Sequence, residues 1–248
     1  MKTLTIVEPL YTKAVSVGEC KLNCLFCKGH FIRDMPSIKQ ITKLKKNEKE
    51  SYLISGGFTK NGKLPLDFKL LSSISKRKKI NLHSGLVSLD EAFEISKYAD
   101  VVSFNFVTDD KIIKRFYKLN KTEMDFIFSY LYLKRFNKVV PHVIIGLGNE
   151  LRSLKILKML GEKRVVFLVL TKSRGIKVRE PTLSKIEEVL KFARKNFRHI
   201  TLGCIRPFKR KKLIDKIAIK YVDTIVFLHP SVDLSGYKIK RKYECCAL

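Results

Sequence analysis

Eight short apolar runs recur along the 248-residue chain, and amphipathic segments lie between them. The predicted strands cover residues 14–18, 51–55, 79–84, 101–106, 139–146, 165–170, 199–204 and 224–229. Their nearly continuous apolar character is what parallel strands buried on both faces require. The alternation of strand and helix predicts an α/β fold, a TIM-type (β/α)8 barrel formed as a single domain by residues 1–248.

Two of the connecting segments contain residues that commonly begin a helix. Ser88 precedes a helical pattern over 88–99, and a glutamate stands three residues after it, as in a capping box. Thr182 opens the pattern over 182–197. The connection 107–138 is long enough for two helices. The sequence therefore predicts helices between successive strands, as a barrel of this type requires.

Three cysteines, Cys20, Cys24 and Cys27, follow the first predicted strand without a fourth cysteine nearby. A closed zinc site needs four ligands, and His30 could supply the fourth. A disulfide framework does not suit a chain of this length that starts without a secretory signal pattern. The remaining interpretation is a [4Fe-4S] cluster held by three thiolates, which leaves one iron open to a small molecule.

The C-x3-C-x2-C spacing, with Phe26 before the last cysteine, resembles the motif of the radical S-adenosylmethionine (radical SAM) superfamily. In that family three such cysteines hold a [4Fe-4S] cluster whose open iron binds SAM. One-electron reduction then cleaves SAM to methionine and a 5′-deoxyadenosyl radical. The resemblance implies that Cys20, Cys24 and Cys27 hold this cluster, and that an electron donor such as ferredoxin reduces it.

Further residues stand at the ends of predicted strands, where barrel enzymes carry their chemistry. The stretch "SGGF" resembles the family's glycine-rich segment beside the methionine amino group, although Phe58 replaces the frequent glutamate. Asn105 is implied to contact the ribose or methionine. The segment "HVIIGLG" resembles the adenine-binding strand of the biotin synthase-like branch. A histidine at the position of His83 is more often a barrel-lining residue than a catalytic one. The implied SAM-binding residues are Ser55, Gly56, Gly57, Asn105 and Gly146.

Three more cysteines lie near the C-terminus: Cys204 in "LGCIRP", and Cys245 and Cys246 in the terminal "YECCAL". Cys204 alone would be an inert buried thiol. The last four residues fit a C-a-a-X prenylation site after a polybasic stretch. In the third interpretation the three thiols ligate an auxiliary iron–sulfur cluster, and residues 235–248 fold back to the barrel mouth.

The chain from residue 165 onward is similar to biotin synthase-like proteins that include subunits of a two-component lipoyl synthase. This resemblance favours the auxiliary cluster. It implies sulfur insertion, as in lipoate biosynthesis, with a second radical SAM subunit as partner. The N-terminal auxiliary cysteine motif and the C-terminal serine ligand of single-chain lipoyl synthases are not present in this sequence.

The charge of the chain limits its partners. It has 51 Lys and Arg against 23 Asp and Glu, a net charge of +28. A net positive charge favours binding to an acidic acyl-carrier domain or to nucleic acid. The lysine-rich composition typical of thermophilic proteomes would also explain this charge. A radical SAM enzyme acting on RNA and a non-enzymatic zinc-binding module therefore stay open. The sequence contains neither a membrane span nor a signal pattern, which predicts a cytoplasmic protein without membrane contact.

Overall fold

The computed structural model describes residues 1–41, 51–76, 78–172 and 178–248. These residues separate into two compact units. The N-terminal unit is formed by residues 10–140 with 247–248, and the C-terminal unit by residues 1–9 with 141–246.

Strands and short helices alternate along the chain. In the described residues the strands are β1 (Lys2–Val7), β2 (Thr12–Val15), β3 (Ser51–Ile54), β4 (Ile80–His83), β5 (Val101–Asn105), β6 (Val139–Ile145), β7 (Arg164–Val169), β8 (His199–Leu202), β9 (Thr224–Val226) and β10 (Tyr237–Lys242). The helices are α1 (Ile38–Ile41), α2 (Phe68–Ser75), α3 (Leu89–Ser96), α4 (Asp110–Ile112), α5 (Glu123–Phe136), α6 (Glu150–Met159), α7 (Leu183–Asn196) and α8 (Lys211–Ala218). A π-helical turn covers Ile113–Tyr117, and 3-10 turns cover His30–Ile32 and Phe208–Arg210.

Each unit is built on a parallel sheet. The strand order in the N-terminal unit is β5-β4-β3-β2, and in the C-terminal unit it is β10-β1-β9-β8-β7-β6. Val15 of β2 pairs with Ile54 of β3, which places the ends of these two strands side by side. Because parallel strands end at the same edge, the loops after β2, β3, β4 and β5 meet at one edge of the N-terminal sheet.

The prediction of a parallel α/β fold is confirmed, and each of the eight predicted strands is present as one of β2 to β9. Two further strands, β1 and β10, were not predicted. In β1 the side chains of Leu4, Ile6 and Val7 are buried, and the strand lies between β9 and β10. Closure into one barrel and the single-domain organisation stay predictions.

The predicted helix starts at Ser88 and Thr182 are confirmed. Ser88 Oγ accepts from the Glu91 N–H at 3.2 Å, while Glu91 Oε2 accepts from the Ser88 N–H at 2.7 Å, which completes a capping box. Thr182 Oγ1 accepts from the Lys185 N–H at 3.1 Å and begins α7. The 107–138 connection contains α4 and α5, as its length suggested.

The apolar faces of these helices supply the core of each unit. On α7, the side chains of Ile186, Val189, Leu190 and Ala193 have no exposed surface. Burial of each aliphatic side chain of Leu or Ile size contributes about 1.5–3 kcal/mol. No described helix is long and apolar enough to cross a membrane.

Candidate functional site

The three N-terminal cysteines lie on a tight loop that follows β2. The N–H groups of Cys27 and Lys28 donate to the carbonyl oxygen of Cys24, at 3.1 and 2.9 Å. Lys28 has a φ of +46°, a left-handed conformation that ends the turn. Cys24 is buried, whereas Cys20 and Cys27 are partly exposed. The loop therefore shields the central thiol from water and leaves the outer two accessible.

The three thiols of this loop interact electrostatically. Burial, followed by the charges of Cys27 and Cys20, raises the pKa of Cys24. Ionising all three thiols together therefore requires a compensating cation. Within the described ranges, no group of three His, Cys, Asp or Glu side chains forms a preformed metal site. The thiols are a donor set suited to an iron–sulfur cluster or to zinc, and they would have to turn toward a common point to bind either.

Two other segments of the N-terminal unit hold the cysteine loop. The Lys21 N–H donates to the Phe58 carbonyl oxygen at 2.7 Å. The Cys24 thiol donates to the Tyr117 carbonyl oxygen at 3.8 Å, and the Phe26 ring packs edge-on against the Tyr117 ring at 5.1 Å. Tyr117 ends the π-helical turn, and its buried hydroxyl has no hydrogen-bond partner among the described residues. Sequence reasoning missed Tyr117 because it lies far from the cysteines along the chain.

The predicted glycine pair supports the same loop. Gly56 and Gly57 have φ values of +81° and +86°. A Cβ on Gly57 would lie 2.7 Å from the Gly18 nitrogen, and one on Gly56 would lie 2.3 Å from Ile32 Cγ2. Side chains are therefore excluded by the backbone conformation and by the approach of the cysteine-loop segment. This contact within the chain is a reason for glycine that the sequence interpretation did not include.

We expect Gly57→Ala to displace the cysteine loop, because the new Cβ meets backbone atoms that cannot rotate away. The matched control is Gly161→Ala, since Gly161 has a φ of +77° but nothing within 4 Å of an added Cβ. Both variants should lose about 1 kcal/mol or more of stability from the left-handed backbone. Only Gly57→Ala should speed alkylation of the buried Cys24 thiol, measured by peptide mass spectrometry. Equal alkylation rates in the two variants would contradict the supporting role of Gly57.

Ser55, His83 and Asn105 form a polar cluster at the ends of β3, β4 and β5. Ser55 Oγ lies 3.2 Å from His83 Nδ1. Burial lowers the pKa of His83 to about 4, and the neighbouring Asn105 side chain offsets part of that shift, so the imidazole is neutral at pH 7. Asn105 Oδ1 is buried and makes no hydrogen bond of good geometry in the described part of the chain, although the Asn105 side chain interacts with the His83 imidazole. An amide oxygen has two lone pairs, so a donor from a bound ligand would complete the hydrogen bonding of this acceptor.

Gly146 lies in the C-terminal unit, where β6 leads into α6. The N–H groups of Gly146 and Gly148 donate to Glu150 Oε1, at 2.6 and 2.9 Å. The second carboxylate oxygen, Oε2, is buried without a hydrogen-bond partner among the described residues, and Lys185 Nζ lies 3.9 Å from it. Sequence analysis missed Glu150, although an acidic residue just after a glycine turn commonly begins a helix.

The three C-terminal thiols lie in one neighbourhood of the C-terminal unit. A hydrogen bond with the Cys245 thiol, then burial, then the charges of Cys245 and Cys204 raise the pKa of Cys246. Arg164 opposes this shift and donates from its guanidinium to the Cys246 carbonyl oxygen. Part of the Cys204 surface is exposed to solvent. Desolvation by the protein around the thiol raises the pKa of Cys204, and the charge of Cys245 raises it further. Cluster binding by these thiols stays a prediction.

A buried ion pair positions the loop that carries Cys204. Arg206 Nε donates to Asp215 Oδ1 at 2.7 Å, and both side chains are fully buried. The guanidinium also donates to the carbonyl oxygens of Gly203 and Val226, each at 2.7 Å. Arg206 therefore ties this loop to the end of β9. With its guanidinium used in these bonds, Arg206 is a structural residue.

Among the predicted site residues, Cys20, Cys24, Cys27, Ser55, Gly56, Gly57 and Asn105 belong to the N-terminal unit. Gly146, Cys204, Cys245 and Cys246 belong to the C-terminal unit.

The fold is similar to that of two solved structures. Methylornithine synthase (PylB) matches 95% of this chain and 75% of its own chain, with 16% identity and a TM-score of 0.61. Histidine-tagged anSMEcpe with bound AdoMet matches 90% of this chain and 68% of its own, with 14% identity and a TM-score of 0.51. No family model and no curated protein matches the chain. The chain therefore shares a fold with these two proteins.

Proposed function

We propose that the chain is a radical SAM enzyme. The observation that carries this proposal is the packing of the three-cysteine loop on the glycine pair, since a Cβ on Gly57 would collide with Gly18. The segment that leads into the cysteine loop and the glycine pair therefore pack against each other in one local structure. The structural similarity to anSMEcpe, which was solved with bound AdoMet, supports the same proposal.

In this proposal Cys20, Cys24 and Cys27 hold a [4Fe-4S] cluster, and SAM binds beside it. When bound and reduced, the cluster with SAM supplies a 5′-deoxyadenosyl radical that abstracts a hydrogen atom from the substrate. The proposed SAM-binding residues are Ser55, Gly56, Gly57, Asn105 and Gly146. The buried Asn105 Oδ1 fits this role because it can accept a further hydrogen bond, and the ribose hydroxyls and the methionine amino group are hydrogen-bond donors.

Other side chains of the N-terminal unit would prepare the site. Cys24 is buried and its thiol donates to the Tyr117 carbonyl oxygen, so the central thiol is kept from water. The neutral His83 imidazole, paired with Ser55 Oγ, fixes the edge of the polar cluster without adding a positive charge. These residues would orient ligands and exclude water, while the cofactors supply the bond-breaking chemistry.

Anaerobic reconstitution with iron and sulfide, followed by metal analysis and a 5′-deoxyadenosine assay, tests the proposal. We expect about four irons bound by the N-terminal cysteines and SAM cleavage in the presence of a strong reductant. A zinc-binding module would instead bind zinc through the same thiols and release no 5′-deoxyadenosine. Stoichiometric zinc with no bound iron would therefore overturn the proposal.

The finer form of the proposal is sulfur insertion, as in lipoyl synthases. It rests on the electrostatic coupling of Cys246 to Cys245 and Cys204, and we propose that these three thiols ligate an auxiliary iron–sulfur cluster that supplies the sulfur, although in the described residues they do not form a preformed metal site. We also propose that residues 1–248 form a single (β/α)8 barrel and that residues 235–248 fold back to the mouth of this barrel. The finer form also includes a ferredoxin-type electron donor, an acidic acyl-carrier domain and a second radical SAM subunit as partners, in the cytoplasm. The net charge of +28 supports the acidic carrier.

A further inference from the structure

Large apolar side chains are exposed on the solvent-facing side of α3 and α5 in the N-terminal unit. Five of them expose between 37% and 48% of their surface: Leu89 and Phe93 on α3, and Met124, Phe128 and Leu131 on α5. We call these five residues the α3/α5 face. They are spaced by three or four positions on each helix, which places them on one side of it.

Partly buried aromatic rings extend the α3/α5 face from one helix toward the other. The Phe128 ring stacks on the Tyr132 ring, with centroids 6.3 Å apart. The Phe93 ring of α3 meets the Phe136 ring of α5 edge-on at 5.4 Å. Tyr132 and Phe136 are four positions apart on α5 and are therefore neighbours. The apolar surface thus crosses both helices.

The opposite side of α5 is already used by the core of the unit. Phe126, Tyr130 and Leu133 are buried there. A helix that is apolar on both sides is normally covered on both, whereas a surface helix has a polar outer side. The α3/α5 face presents on the order of 400 Å² of apolar surface, a size at which patches on soluble proteins are often functional. Its composition, with aromatic residues and Met, is that of the centre of a protein interface.

The charges around this face are balanced, unlike those of the chain as a whole. Acidic residues lie in the first turns of the two helices, at Asp90, Glu123 and Asp125. Basic residues lie at the opposite ends, at Lys97, Lys134 and Arg135; within the chain Lys97 is already paired with Glu94, and Asp125 with Lys121. The two helices run in the same direction because both follow strands of one parallel sheet. The face therefore has an acidic end and a basic end within a chain of net charge +28.

We propose that the α3/α5 face binds the same face of a second copy of this chain, forming a two-fold symmetric homodimer. A two-fold axis perpendicular to the helices makes the helix pairs antiparallel, so the acidic end of each copy lies against the basic end of the other. The apolar side chains of the α3/α5 face are then buried between the two copies. Local charge balance allows two strongly basic chains to approach at this face. None of the residues proposed to bind the cluster or SAM takes part, so the dimer is independent of the proposed chemistry.

Sedimentation equilibrium of the full chain over a range of concentrations and salt tests this inference. We expect a reversible species of twice the chain mass. Its fraction should rise between low salt and about 0.15 M, because screening weakens the repulsion between the two basic chains. The Phe93→Glu/Phe128→Glu double variant should lose the dimer. Phe208→Glu is the matched control, since Phe208 is 88% exposed in the C-terminal unit, and it should keep the dimer.

Circular dichroism checks that each variant is folded. If the double glutamate variant does not fold, Met124→Lys/Leu131→Lys removes two other side chains of the same face and should also give monomers. A chain that stays monomeric at every concentration and salt would overturn the inference. A dimer that survives both double variants would overturn it as well, because the contact would then lie elsewhere.

Discussion

Cys24→Ala is expected to abolish production of 5′-deoxyadenosine from SAM. Cys24 is the central thiol of the proposed cluster site, it is buried, and its carbonyl oxygen accepts two hydrogen bonds that close the turn. With only two thiolates left, a [4Fe-4S] cluster should be lost or bound in a non-native form. The measurements are iron and sulfide per chain after anaerobic reconstitution, and 5′-deoxyadenosine formed after reduction.

The control for Cys24→Ala is Ile95→Val, a small truncation of a buried residue in the same unit. It should cost about 0.5–1.5 kcal/mol of stability and leave iron content and SAM cleavage unchanged at temperatures where the chain is folded. This comparison separates loss of a ligand from a general weakening of the core. Full 5′-deoxyadenosine production by Cys24→Ala would end the radical SAM assignment.

The strands that could be predicted from sequence are those buried on both faces, because their continuous apolar runs differ from any surface segment. The two that were missed lack such runs. In β1 the apolar residues are interrupted by Thr3 and Thr5, which over six residues is a weak pattern. In β10 four of the six residues are Lys or Arg, namely Lys238, Lys240, Arg241 and Lys242. That composition suits an edge strand, since charges there discourage pairing with other chains.

The candidate site was predictable where its residues follow strand ends or share one short motif. The cysteine loop and the glycine pair are both of this kind. Tyr117, Glu150 and Arg164 were missed because their roles arise from contacts with segments distant along the chain or from buried hydrogen bonds. No local pattern marks such residues before the fold brings the segments together.

The Cys245→Ala/Cys246→Ala double variant should bind about half the iron of the parent chain. If both cluster proposals hold, the parent should bind about eight irons after reconstitution, as two clusters of about four irons each. Removing two of the three C-terminal thiols should empty the auxiliary site. The N-terminal cluster does not use these thiols, so the variant should still cleave SAM while no longer inserting sulfur. Iron and sulfide analysis, with Mössbauer spectra of both proteins, measures the loss independently of turnover.

The matched control is Leu248→Ala, which alters the same tail without removing a thiol and should retain the full iron content. The other interpretations of the tail predict different results. A prenylated tail would carry added lipid mass in protein taken from cells, and its loss would leave the iron content unchanged. An inert tail would leave both measurements unchanged. About four irons in both the parent and the double variant would leave the radical SAM proposal standing and rule out a sulfur-donating auxiliary cluster, because the C-terminal thiols would then bind no iron.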